Sequence, residues 1–261
     1  MPKPIETELL CLYMTLLDHF GPLNWWPADS PFEVVIGAIL TQNTAWTNVE
    51  LAIANLKEEQ VLSPDKLAEI PIDRLEELIK PSGFFRQKAN LLQSLSIHLV
   101  TEWQSNLNAF CSGSLVEARD RLLARPGIGP ETADSILLYA VHRPSFVVDA
   151  YTRRIFERVG VLQGDETYAE VRELFTQALP EDVTLYNEYH ALIVQLAKTC
   201  CKKRKPLCNG CPLNKRCRFA TRATLVETNG GQPASRLTKR QDRSEKPLLR
   251  GSASAQSPDL P

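Results

Sequence analysis

No stretch of the 261-residue chain stays apolar and uncharged for the roughly 18 residues that crossing a bilayer needs, which excludes a membrane span. The opening residues, MPKPIETELLC, lack the apolar core of a secretion signal, so a reducing cytoplasm is the expected compartment. Strand-like runs are all but missing, and Ser145 to Val148 is too short to seed a sheet. No internal repeat occurs. With 43% hydrophobic and 23% charged residues, the composition excludes disordered, collagenous and fibrous proteins as a class. An excess of either charge is also lacking: 30 Lys and Arg against 31 Asp and Glu leave a balance of −1. Such neutrality normally counts against a nucleic-acid partner.

The neutral total conceals a segregation. Residues 1–198 hold 16 basic against 27 acidic side chains, a balance of −11, and residues 199–261 hold 14 against 4, a balance of +10. Screening over about 8 Å at physiological salt makes surfaces 30 Å apart electrostatically independent, so a polyanion can dock locally on the basic end. A merely solvated basic tail accounts for the charge equally well.

Apolar residues recur at helical spacing almost throughout. Leu9, Leu10, Tyr13, Leu16 and Leu17 form a first stripe, closed by Gly21-Pro22. Ser30-Pro31-Phe32-Glu33 reads as a capping-box start with proline at the first helical position. Further helices are expected from about Thr47 to Glu59, Ile72 to Lys80, Phe85 to Trp103, Ser114 to Leu123 and Pro130 to Ala140. Three more follow, from Ala150 to Arg158, Tyr168 to Ala178 and Asp182 to Lys198. The expected class is all-α. Residues 223–261, poor in apolar groups, read as a disordered basic tail.

Five of the seven cysteines lie between Cys200 and Cys217, four of them spaced Cys201-x6-Cys208-x2-Cys211-x5-Cys217. In a reducing compartment that crowding points to a metal or cluster rather than disulfides. Zinc accepts four thiolates tetrahedrally, and an iron–sulfur cube takes one per iron; the spacing alone leaves both open. Cys200 is the spare, while Cys11 and Cys111 read as buried, inert thiols. Lys202, Lys203, Arg204 and Lys205 sit on the same loop and suit phosphate contact.

Between two helices lies Arg125-Pro126-Gly127-Ile128-Gly129-Pro130-Glu131. Pro126 stops one helix, two glycines permit positive φ, and Pro130 opens the next. Amides exposed at such a helix N-terminus bind phosphate without side chains, although the same turn also serves as a plain connection. Val147-Val148-Asp149 ends an apolar run in an aspartate that, read alone, is an ordinary N-cap.

Taken together these residues resemble the endonuclease III family of helix-hairpin-helix DNA glycosylases over roughly residues 28–219. The matching segments are Leu40-Thr41-Gln42-Asn43-Thr44, Gly83-Phe84-Phe85-Arg86-Gln87-Lys88-Ala89, the Pro-Gly-Ile-Gly hairpin, Val148-Asp149 and the four cysteines. The resemblance implies two helical domains flanking a DNA cleft. One is a six-helix domain at residues 29–141; the other joins residues 1–28 to 142–222. It also implies a [4Fe–4S] cluster on Cys201, Cys208, Cys211 and Cys217 in preference to structural zinc. The implied partner is double-stranded DNA with a damaged base, bound by a monomer. Gly127, Ile128 and Gly129 would grip the backbone, Gln42 would enter the gap left by a flipped base, and Asp149 would carry the chemistry.

One position departs from the bifunctional members of that family, which have a lysine in the first turn after the hairpin. Glu131 stands there, and it suits the positive helix N-terminus without any catalytic role. Without the amine there is no nucleophile for a Schiff base. The expected enzyme is therefore a monofunctional glycosylase, with Glu131 a secondary candidate for acid–base work. Trp25-Trp26-Pro27 and Thr41-Gln42-Asn43-Thr44, together with Glu131 in place of lysine, look like the branch that excises 3-methyladenine, with Trp25, Trp26 and Trp46 as the base pocket. Aromatic faces attract a cationic alkylpurine by about 0.5–2 kcal/mol, although the same tryptophans also suit a core. The competing expectations are a glycosylase for uracil or mismatched thymine, a glycosylase with lyase activity, and a cluster-containing DNA-binding protein without catalysis.

Overall fold

A computed structural model describes residues 4–23 and 25–222; the tail expected at 223–261 lies outside the described residues. No strand occurs among the described residues, and the fold is all-α. Helix α1 (Ile5–Phe20) buries Leu9, Leu12 and Leu16 at three- and four-residue spacing and stops at Gly21, whose φ of 71° favours glycine. Helix α2 (Pro31–Leu40) is buried on every side, because α3 (Trp46–Glu58), α6 (Phe85–Trp103) and α9 (Pro130–Ser135) all pack around it. Its start corrects the capping-box expectation. Ser30 Oγ accepts from Glu33 N at 3.2 Å, but Glu33 turns to Asp29 N at 3.0 Å and to Lys57 at 2.7 Å. Lys57 pulls the carboxylate away from the reciprocal cap.

Two short helices, α4 (Pro64–Glu69) and α7 (Leu107–Phe110), were not expected from periodicity. Four or six residues cannot show a helical period, so only the caps Ser63 and Asn106 announced them. Helices α5 (Ile72–Ile79) and α8 (Leu115–Leu123) complete the first group, and α8 opens on a full capping box of Ser114 and Glu117. Beyond Ser135, α9 widens into a π-form turn over Ile136–Ala140. Helix α10 (Ala150–Val159) follows, then α11 (Tyr168–Ala178) and α12 (Val183–Thr199). The first helix meets the last ones: α1 packs on α11 and α12, and Tyr189 donates to the carbonyl of Leu9 at 2.8 Å. The run Ser145–Val148 is a buried connection rather than a strand, with Phe146 stacked on Phe175 at 4.3 Å.

A polar knot holds the connection in place. Asp134, with a fully buried carboxylate, receives Arg119 Nε and Nη2 at 2.8 and 3.1 Å, Ser145 Oγ at 2.6 Å and Tyr168 OH at 2.7 Å. Arg172 Nε lies 3.5 Å away. These partners come from α8, the 141–149 connection and α11. Tyr168 OH in turn accepts from Val148 N at 3.4 Å, one residue before Asp149.

Candidate active-site cleft

A cleft of about 1010 Å³ opens between the 41–47 loop, the hairpin, the N-terminus of α10 and the inner face of α12. Asp149 lies in it as the N-cap of α10. Its Oδ1 accepts from Thr152 N at 2.7 Å and Thr152 Oγ1 at 2.9 Å, while Oδ2 lies 3.5 Å from His190 Nε2. Burial by itself would raise this carboxyl. The pull of His190 and the two Thr152 donors outweigh burial and hold it below its ordinary 3.8. Asp149 is therefore a carboxylate at neutral pH.

Glu131 lines the same cleft from the first turn of α9, exposed on its outer side. The surrounding walls push its carboxyl upward, the charge of Asp149 adds to that, and His190 opposes it. The two carboxyls are thus driven apart.

One wall is aromatic. Trp26 and Trp46 meet edge-on at 5.1 Å, Trp25 lies 5.7 Å from each, and Tyr139 is 5.3 Å from Trp26. Gly37 makes room: a Cβ there would stand 2.9 Å from Trp26 Cζ2. Lys198 also lines the cleft, its ammonium 5.4 Å from the centroid of Trp25. Phe84 is not on this wall; it is 63% exposed, in left-handed conformation at φ 46°.

Gln42 reaches the hairpin, donating to Gly127 O at 3.2 Å and Thr132 Oγ1 at 3.0 Å. Gly127, at φ 93°, and Gly129 are exposed beside it. Ile128, between the two glycines, differs from them in burial. Its side chain is buried and its amide donates to Arg125 O at 3.0 Å, so it anchors the hairpin.

Lys202, Lys203, Arg204 and Lys205 are exposed, but the structure does not bring them into the cleft. Their loop is tied to α10: Arg154 Nε donates to Cys201 O at 3.0 Å, and Arg158 donates to Lys202 O at 2.9 Å and Lys203 O at 3.0 Å. Arg158 also donates to Cys201 Sγ at 3.2 Å. Among the described residues, no set of three or more His, Cys, Asp or Glu is gathered as it would be around one ion. The donor chemistry nonetheless fits a thiolate-bound group. Burial pushes the Cys211 thiol up to about 11, and the nearby Cys200, Cys201 and Cys217 add to it. Such crowded thiols ionise together only against a compensating cation.

Sequence reasoning missed His190 and Tyr139. The visible signal was a histidine beside Tyr189 on the buried face of α12.

The all-α fold carries a hairpin, a carboxylate at a helix start and an aromatic cleft, features that meet in a class of DNA repair enzymes. The chain belongs to the HhH-GPD superfamily of base excision DNA repair proteins, whose family profile matches residues 36–181. It is a DNA glycosylase of that family. It is 48% identical over 207 residues to a putative DNA repair glycosylase of Methanocaldococcus jannaschii, covering 79% of this chain and 94% of the relative. An endonuclease III in non-covalent complex with DNA superposes at a TM-score of 0.74 and 22% identity, over 86% of this chain and 100% of the other. The H. pylori 3-methyladenine DNA glycosylase bound to 1,N6-ethenoadenine superposes at 0.64 and 29% identity, over 75% and 98%. No described helix is long and apolar enough to cross a membrane.

Proposed function

We propose that the protein is a monofunctional glycosylase that releases alkylated purines, such as 3-methyladenine, from double-stranded DNA. The observation that carries this reading is a carboxylate, Glu131, in the first turn of α9, facing the cleft that Asp149 occupies. Hydrolysis then needs no covalent enzyme intermediate. The N-glycosidic bond breaks with its electron pair leaving on the base, and the oxygen of a water bonds to C1′. Asp149 stabilises the positive sugar and takes the proton from that water. Oδ2 is the working oxygen, since both donors of Thr152, its amide and its hydroxyl, are spent on Oδ1.

Trp25, Trp26 and Trp46 form the pocket for the extruded base. The faces of Trp26 and Trp46 supply cation–π attraction for a cationic purine, whereas the Lys198 ammonium already occupies a face of Trp25. Extrusion costs a few kcal/mol and is cheapest for damaged pairs. Gly127, Gly129 and Gln42 hold the strand at the hairpin, and Lys202 to Lys205 contact phosphates outside the cleft. Residues 29–141 on one side, and 1–28 with 142–222 on the other, act as the two domains. Cys201, Cys208, Cys211 and Cys217 would hold a [4Fe–4S] cluster, which when bound supplies a rigid frame for the basic loop.

A panel of duplexes carrying methylated purines, uracil and mismatched thymine, run with borohydride trapping, tests the reading. Release of methylated purines with an intact abasic strand and no covalent adduct is expected. A robust adduct, or release confined to uracil or thymine, overturns it.

A further inference from the structure

Two oxygens of Asp149 have different surroundings. Oδ1 is saturated by Thr152, whereas Oδ2 faces one protein group, His190 Nε2, at 3.5 Å. His190 is only 6% exposed, and its buried Nε2 has no hydrogen-bond partner. Its other nitrogen does: Tyr139 OH lies 2.5 Å from Nδ1. Tyr139 is buried, and burial, then the charges of Asp149 and Glu188, raise its hydroxyl well above the ordinary value. The phenol therefore keeps its proton, and we assign that proton to the short contact as a donor to Nδ1. In the neutral ring the hydrogen must then sit on Nε2, the nitrogen turned towards Oδ2.

The geometry points to His190 as a positioning residue for hydrolysis: its Nε2–H, fixed in that tautomer by Tyr139, aims Asp149 Oδ2 at the attacking water. This rests on the reading of Asp149 as the group that activates water. A gap of 3.5 Å is longer than a hydrogen bond, and catalytic pairs of this kind tighten once substrate is bound. The direction of the chain, phenol to imidazole to carboxylate, leaves His190 no acceptor for the proton of the water, so that proton stays on Asp149. Glu131 from α9 is the other titratable group whose charge acts on the ring; on the ring's own helix, Glu188 acts on Tyr139 and Lys198 lines the same cleft.

Single-turnover release from a methylated duplex, at saturating protein and across pH, separates this role from simple packing. His190→Leu keeps the volume and removes the donor. It should slow release about tenfold to a hundredfold with DNA affinity unchanged, and should move the acid limb of the rate profile to higher pH. His190→Gln, which returns an N–H near the same place, should recover most of the rate and restore the limb. Tyr139→Phe frees the tautomer and should fall between the two.

His190→Leu with the wild-type rate and acid limb overturns the proposal. So does a His190→Gln variant no better than His190→Leu at equal melting temperature. If His190→Leu does not fold, His190→Gln and Tyr139→Phe decide: loss of the rate in the glutamine variant, or an unchanged profile in the phenylalanine variant, is the contrary result. Asp149→Asn is measured in parallel. Its inactivity beside an unaltered His190→Leu rejects the histidine role alone, whereas activity in Asp149→Asn rejects the catalytic reading itself.

Discussion

In the proposed reaction Asp149 would serve folding and chemistry with one carboxylate, Oδ1 capping α10 and Oδ2 facing the cleft. Asparagine caps a helix as well as aspartate does, so Asp149→Asn should leave the melting temperature within a few degrees of wild type. Base release should fall at least a hundredfold with duplex affinity nearly unchanged. The pH dependence follows from the direction of its shift. A carboxyl held below 3.8 is charged throughout the neutral range, so its stabilising contribution is present above that value and is lost as pH falls through the folded-state one. The release rate should therefore hold down to about pH 5 and decline only below it. A decline beginning near pH 6 contradicts the assignment. Trp46 is half-buried and touches Trp25 and Trp26, so Trp46→Ala should abolish alkylpurine release while circular dichroism keeps the helical signature. An unchanged rate counts against the pocket.

At the scale of elements, α8, α9, α11 and the 141–149 connection meet at Asp134. Removing its carboxylate strands Arg119 and Arg172 beside a buried site without the partner they share. Asp134→Ala should thus cost about 3–5 kcal/mol, read as a lower denaturant midpoint. A cost below 1 kcal/mol argues that water replaces the carboxylate. This element-level contact was not legible in the sequence. Asp134 follows Thr132-Ala133 in an ordinary helical stripe, and its partners come from 15 residues earlier and 34 later. The caps were legible, because a cap is made within three residues. Ser114, Thr167 and Asp182 sit where their residue types place them. Even a cap can be diverted, as Glu33 is by Lys57 from the neighbouring helix.

Across the whole molecule, the acidic body and basic end are joined by α10, which carries Asp149 at its start and Arg154 and Arg158 along its length. Those arginines clasp the carbonyls of residues 201–203. The exposed run Lys202 to Lys205 lies outside the cleft, which matches phosphate contact that adds affinity without reading the base. Affinity for duplex DNA should fall steeply with salt. Neutralising those four side chains should flatten the plot of log affinity against log salt by about 0.9 for each phosphate contact removed, as fluorescence anisotropy can measure. An unaltered slope places the DNA on another face.

What the sequence by itself determined is whatever chemistry is local. The helical period set the all-α class, proline and glycine set the hairpin, and four cysteines within 17 residues marked a loop of metal-ligand spacing. Asp149 and Glu131 were legible as candidates, and the departure from lysine was readable directly. Tertiary structure decided how those residues act on one another. His190 reaches Asp149 from 41 residues away, Tyr139 holds His190 across 51, and Gln42 meets the hairpin across 85. Ile128 turned inward, and Gly37 gave Trp26 its seat. None of these contacts has a period or a spacing in the chain. They exist because packing the helices closes distances that local propensity cannot encode, and a carboxylate's charge depends on the neighbours it meets there.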